Sequence, residues 1–360
     1  MPLFAPAPAS AASAYGRLDR LLHRIALGSG AVLEMSFDLE RARHGKAAAA
    51  ALALGPPVFV TGLARAGTTI LMRLIHAADD FASLRYRDLP FPLAPNGWAR
   101  ISARLKRHVE TRERGHGDGL DHDLDSPEAI EEVFWKLHDG KHYCRPDGLI
   151  PYQPDAETLS AFADYRQLVC LRYGARRYLS KNNANVLRVN SLARHVPGAR
   201  IVHPFRDPLE QARSLHRQHR QACILASEDP FRGAFMRWLG HHEFGAHQRP
   251  FLLPAGSVPQ GDPDTLAFWV STWIGVHTHL LGQPEDVRRT QIFADYDLLA
   301  AGDPALLERL GSRLELARPL ASTALRPPAP VPHREAKLPA SLLEEANRVH
   351  AALRERARAE

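Results

Sequence analysis

Residues Val58 to Thr69, VFVTGLARAGTT, decide the fold. Three β-forming apolar residues run into a turn carrying Gly62 and Gly67. Behind it, Ile70, Leu71, Leu74 and Ile75 recur at helical spacing. A strand, a glycine-bearing turn and a helix in direct succession aim consecutive backbone N–H groups and a helix dipole at one point, which is an anion site. The spacing G-x-x-x-x-G is that of a nucleotide-binding P-loop. Yet Thr68 stands where such a loop carries its lysine, and the cation, Arg65, lies inside the turn. The usual β/γ-phosphate contact of an NTPase is therefore missing. A kinase or NTPase using ATP and magnesium is the alternative reading, and Asp295-Tyr296-Asp297 comes nearest to a metal-holding pair.

Outward from this loop, short apolar segments alternate with helical ones, the pattern of a parallel sheet with crossover helices. Four segments matter: Pro57–Thr61, Arg177–Ser180, Arg200–Phe205 and Gln291–Ala294. Each runs straight into polar residues: the glycine turn, Lys181-Asn182-Asn183, Arg206-Asp207 and Asp295-Tyr296-Asp297. Ligands of open α/β sheets bind at the carboxyl ends of the strands, so these four junctions are expected to converge. Helices are expected over about 15–54, from an N-cap at Ser126 to about His138, over 155–173, 265–281 and 340–358, with 226–261 irregular. The chain divides into an N-terminal tail with helices (1–54), a main domain (55–318) with insertions near 98–173 and 226–261, and a linker with a C-terminal helix (319–360).

The 360 residues are 45% hydrophobic and 24% charged, enough for a large core, and the net charge of +6 favours anionic partners. No run of five Lys or Arg occurs, which argues against nucleic acid; a non-catalytic anion-binding protein stays as a further alternative, suggested by the basic balance alone. Cys144, Cys170 and Cys223 form neither a disulfide framework nor a CxxC pair, as expected in a reducing, cytoplasmic setting. The apolar stretch 47–64 is interrupted by Gly55-Pro56-Pro57, so no membrane-spanning segment is expected, and the N-terminus lacks the pattern of a signal peptide.

TGLARAGTT resembles the 5′-phosphosulfate loop of sulfotransferases that use 3′-phosphoadenosine 5′-phosphosulfate (PAPS), in its arginine form, typical of the tyrosylprotein-type and bacterial branches. Ala64 and Ala66 replace the common proline and serine. ARIVHPFRDPLEQARSLHRQH is similar to the family's 3′-phosphate site, an arginine ending a strand with a serine eight residues on, here Arg206 and Ser214. Asp207 suits an N-cap, with Pro208 in the first turn and Glu210 at the third position. RYLSKNN and IFADYDLL resemble two further family segments, in consistent order, bringing in Lys181, Tyr296 and Asp297.

The resemblance implies a P-loop-like three-layer α/β fold with a central parallel sheet and helical insertions, and transfer of a sulfuryl group from PAPS to an acceptor hydroxyl. It implies PAPS contacts from Arg65, Ala66, Gly67, Thr68, Thr69, Arg206 and Ser214, with catalysis by Arg65, Lys181 and a base. No metal is required. The base it points to is Asp88 in LRYRDLPFPLAP, 23 residues after Arg65, with His116, His122, His142 and the GHHEFGAH cluster as contenders. Two motifs are discounted. His242 and His247 are five apart rather than four, which spoils an HExxH zinc site. The acids at 121, 123, 125 and 132 mimic a calcium loop but lack its glycine.

Overall fold

The computed structural model describes residues 16–51, 54–103, 130–254, 261–321 and 338–359, with the backbone of 112–113 and 121–122. Its central strands are β1 (Val58–Val60), β2 (Phe81–Ala82), β5 (Arg177–Lys181), β6 (Arg200–Phe205) and β7 (Gln291–Asp295). A short antiparallel pair, β3 (Arg112–Glu113) and β4 (Asp121–His122), stands apart. The sheet order is β2-β5-β1-β6-β7, and every neighbouring pair is parallel. The four strands expected from the sequence are present; Phe81–Ala82 adds a two-residue edge strand too short to show a period.

The helices explain the layering. In the N-terminal region α1 (Arg17–Gly28) and α2 (Gly30–Ala51) are separated at Ser29, whose backbone is extended. After β1 comes α3 (Thr68–Ala78). The connection from β2 to β5 holds α4 (Pro95–Ser102), α5 (Glu132–Tyr143) and α6 (Ala156–Tyr173), and α7 (Val189–His195) leads into β6. Between β6 and β7 lie α8 (Pro208–Glu228), α9 (Pro230–Trp238), α10 (Leu266–Leu281) and α11 (Glu285–Arg288). The helices α12 (Tyr296–Ala301), α13 (Pro304–Arg313) and α14 (Ala340–Ala359) follow β7.

Strand side chains alternate between faces. Val58 and Val60 pack with Leu71, Ile75, Leu306 and Leu310 of α3 and α13, whereas Phe59 packs with Phe134, Phe162 and Tyr165 of α5 and α6. Helices on both faces are what a parallel sheet requires, since both faces must be covered. The outer layers are completed by α2 against α6 and by α14 against α10 and β7.

Two local expectations are corrected. The helix expected from an N-cap at Ser126 is α5, which begins at Glu132 with Glu131 as its capping position and runs on to Tyr143, while Ser126 lies outside the described residues. The stretch expected to be irregular from Ala226 contains the end of α8 and all of α9, which restarts at Pro230 behind an Asp229 cap that accepts from the Phe231 N–H. The helices expected over 155–173 and 265–281 are present, opened by side-chain caps from Asp155 and Thr265.

A polar cluster lies within the core beneath the end of β5. Glu131 accepts from Trp135 Nε1 (3.0 Å), Tyr178 Oη (2.8 Å) and Asn185 Nδ2 (2.9 Å). Glu132 accepts from Tyr143 Oη, from Asn182 Nδ2 (2.7 Å) and from both terminal nitrogens of Arg188 (2.8 and 2.9 Å). Arg188 is 1% exposed and its guanidinium lies over the rings of Trp135, Tyr143 and Tyr152. Arg188 Nε is left without a partner, but both its terminal nitrogens and both carboxylates are paired, which offsets a burial that would otherwise be costly.

Buried histidines set an acid limit. Burial pushes His203 down to about 3 and His277 down to about 4 from an ordinary value of 6.5. Because the folded-state values are depressed, the unfolded chain binds more protons between those values and 6.5. Their contribution is complete above pH 6.5 and is lost as pH falls through that window. Each should cost on the order of 2 kcal/mol by pH 5. Urea unfolding at pH 7.5 and pH 5 should show that fall; equal stability at both would contradict it.

Candidate active site

The residues after β1 adopt backbone conformations that explain the glycines. Gly62 has φ of +148° and Gly67 of +80°, both in territory that L side chains avoid. Arg65, a non-glycine, also stands at φ +70°. Gly67 meets a second constraint: a Cβ there would lie 2.4 and 2.6 Å from ring atoms of Tyr296. The α3 helix starts at the next residue, so its first N–H groups open onto this turn. Ala66 is buried, Thr68 is 4% exposed, and Arg65, Gly67 and Thr69 are half-buried.

The β6 junction comes to the same place. Asp207 Oδ1 accepts from the N–H groups of Leu209 and Glu210 (3.0 Å each), capping α8 as the sequence suggested. Ser214, 7% exposed and two turns along α8, accepts a hydrogen bond from Arg65 Nε at 3.1 Å. Arg206, with 13% of its side chain exposed, lies 5.2 Å over the centre of the Tyr296 ring and 3.4 Å from Glu210 Oε2. Tyr296 thus contacts both Gly67 and Arg206, joining three junctions. The fourth arrives through strand register, since Lys181 pairs with Val60 across β5 and β1.

Asp88 occupies a closed setting on the β2 side. It ends a short 3₁₀ turn, Tyr86–Asp88, and is 1% exposed. Tyr173 Oη donates to its Oδ2 at 2.5 Å, the Arg85 N–H donates to the same oxygen at 2.8 Å, and Arg172 Nε lies 3.7 Å from Oδ1. Burial pushes the carboxyl up from its ordinary value, against the opposing pull of Tyr173, the Arg85 N–H and the charges of Arg172 and Arg85. These partners belong to the segment after β2 and to the end of α6.

The histidine-rich stretch lies by the end of β5. Gly240, at φ +80°, backs onto Glu132, whose carboxylate holds Asn182, the neighbour of Lys181. Glu243 is 6% exposed and lies 3.6 Å from His241 Nδ1. Burial acts to raise the Glu243 carboxyl, but the His241 hydrogen bond and charge, with the Lys181 charge, override it and bring it down to about 2. His242 points elsewhere, its Nδ1 3.0 Å from the His247 carbonyl. Among the described residues no three ligand-type side chains cluster as a metal site. The side chains of His116, His122, Asp123 and Asp125 lie outside the described residues, and His142 is exposed.

Sequence reading missed three supports of the site. His203 donates from Nδ1 to the Thr61 carbonyl at 3.0 Å while Gln291 Nε2 donates to its Nε2 at 3.0 Å, fixing the tautomer. Gln211 and Trp273 hold the loop carbonyls, as described below. The Glu131–Glu132 pair offered one visible signal, two adjacent acids entering an apolar helix.

Alanine at Gly67 should cost roughly 2–4 kcal/mol, from left-handed strain and from displacing the ring. In a Tyr296→Ala background the ring part should vanish, so by urea unfolding the double variant should cost less than the sum of the two single ones; additive costs would show that the ring is not the obstacle.

A sequence model described as "Sulfotransferase family" matches residues 56–250, from the strand before the glycine turn through the histidine-rich stretch. No curated protein sequence matches the chain. Among solved structures, it is similar to sulfotransferase STF1 from Mycobacterium tuberculosis H37Rv, at 14% identity over 93% of this chain and 84% of that one, TM-score 0.47. It is also similar to sulfotransferase STF9 from Mycobacterium avium, at 12% identity over 92% and 76%, TM-score 0.44. A sulfotransferase from Alicyclobacillus acidocaldarius gives 14% identity over 85% and 96%, TM-score 0.39. With more than half its length matched, the chain belongs to the sulfotransferase family and is a sulfuryl-transferring enzyme.

Proposed function

We propose that the donor is PAPS and that the glycine turn and the start of α8 hold its two ends. The hydrogen bond from Arg65 to Ser214 carries this reading, because it joins the two motifs assigned to the 5′-phosphosulfate and the 3′-phosphate. On this reading Arg65 and the N–H groups of Ala66 and Gly67, with Thr68 and Thr69, bind the 5′ end. Arg206 and Ser214 bind the 3′-phosphate, a guanidinium fork and a hydroxyl being suited to that group.

In the transfer, the acceptor oxygen forms a bond to sulfur as the bridging S–O bond breaks. Arg65 and Lys181 stabilise the charge gathering on the bridging oxygen, work that positioned cations do without a metal ion. The acceptor proton goes to a base. Asp88 is the first assignment, and its raised proton affinity is in the useful direction. Its contact with Tyr173 must then open to admit the acceptor. A second reading is favoured by Glu243 facing both His241 and Lys181: His241 takes the proton while Glu243 orients the ring. The half-matching insertions would shape the acceptor pocket, and three free thiols support a reducing, cytoplasmic setting.

Thermal-shift titration tests the donor assignment. Adenosine 3′,5′-bisphosphate should stabilise the chain without magnesium, and better than ADP or ATP with or without it; a preference for ATP with magnesium would favour a kinase or NTPase instead. Arg206→Ala should remove most of the bisphosphate response. In PAPS turnover Arg65→Ala should lose about 10²-fold or more. Asp88→Asn abolishing turnover while His241→Gln keeps it would decide for the carboxylate base, and the reverse pattern for the imidazole.

A further inference from the structure

We propose that Gln211, held in orientation by Trp273, is the positioning residue that turns the glycine loop's N–H groups toward the donor's 5′ end; this rests on the donor assignment above. Gln211 lies on α8 between Arg206 and Ser214 and is 0% exposed. Its Nε2 donates to the carbonyls of Leu63 (3.1 Å) and Ala64 (2.9 Å), so both amide hydrogens are used. Its Oε1 accepts from Trp273 Nε1 at 3.0 Å. An indole nitrogen can only donate, so the amide oxygen must face Trp273 and the NH₂ must face the loop. The orientation is dictated by chemistry rather than chosen.

The consequence follows from peptide geometry. In a trans peptide the C=O of one residue and the N–H of the next point in opposite directions. With the Leu63 and Ala64 carbonyls turned into α8, the N–H groups of Ala64 and Arg65 must point away from it. They join the run of N–H groups that ends at the start of α3. The same clasp precedes Arg65, whose backbone sits at φ +70°, a conformation that persists only where its surroundings hold it. Gln211 also makes one helix responsible for both ends of the nucleotide: Arg206 and Ser214 act at the 3′ side, while Gln211 shapes the loop that receives the 5′ side.

Gln211→Leu keeps the volume but leaves two carbonyls and an indole N–H without partners. Trp273→Phe keeps Gln211 and frees its amide to turn over. Calorimetric affinities are to be measured for adenosine 3′,5′-bisphosphate and for adenosine 3′-monophosphate, which lacks the 5′ group. Gln211→Leu should weaken the bisphosphate roughly tenfold or more while leaving the 3′-monophosphate nearly unchanged. Trp273→Phe should weaken the bisphosphate to a smaller degree, and it serves as the reading if the leucine variant does not fold. Unchanged bisphosphate affinity in the folded variants, or equal loss for both nucleotides, would overturn the assignment, the latter because a merely structural role predicts it. A wild-type chain that ignores both nucleotides would sink the donor assignment itself.

Discussion

The ring of Tyr296 is the piece on which the site's geometry depends. It fills the space that a side chain at position 67 would need, and the Arg206 guanidinium lies over its ring. Glycine at 67 is therefore required twice over, by its left-handed backbone and by the ring pressed against it. The ring comes from the strand farthest along the sheet, and the loop it presses on follows the central strand. One aromatic contact thus fixes the relation between elements more than 200 residues apart in sequence. Tyr296 also lies beyond the residues matched by the family model, so the matched portion leans on a part of the chain that carries the family pattern less clearly.

Much of this was legible in the sequence, for physical reasons. Parallel strands buried on both faces read as short continuous apolar runs, and the four that were visible form the sheet. The polar residues closing each run lie along one sheet edge because parallel strands bring their carboxyl ends together. The Asp207 cap was legible because its side chain satisfies N–H groups only two and three residues away. The start of α5 was not, because what meets it there is tertiary rather than local. The paired acids at 131 and 132 are needed at the entry to the helix, where they meet Tyr178, Asn182 and Arg188.

The supports behind the site were invisible for a common reason: each is a hydrogen bond between residues far apart in sequence. Gln211 and Trp273 are 62 apart, and His203 and Gln291 are 88 apart. Neither pair has a spacing that any periodicity could reveal. Nothing in its local sequence sets His203 apart from the strand residues around it. In the fold it is neutral, held so by burial, and donates to the carbonyl at the point where β1 becomes the loop.

These supports share a design. The carbonyls of Thr61, Leu63 and Ala64 are each taken up by a buried side chain, His203 or Gln211. A strand carbonyl at a sheet edge would otherwise turn toward the ligand and repel an anion. Fixing three carbonyls away from the site leaves the donor groups facing it, and burial makes each unmade hydrogen bond costly enough to keep the arrangement. On the proposed donor assignment, the loop's preference for an anion rests less on its own residues than on the donors that occupy its acceptors. That is why Ala64 and Ala66 can replace a proline and a serine: the backbone is held from behind, and the side chains at those two positions have little left to do.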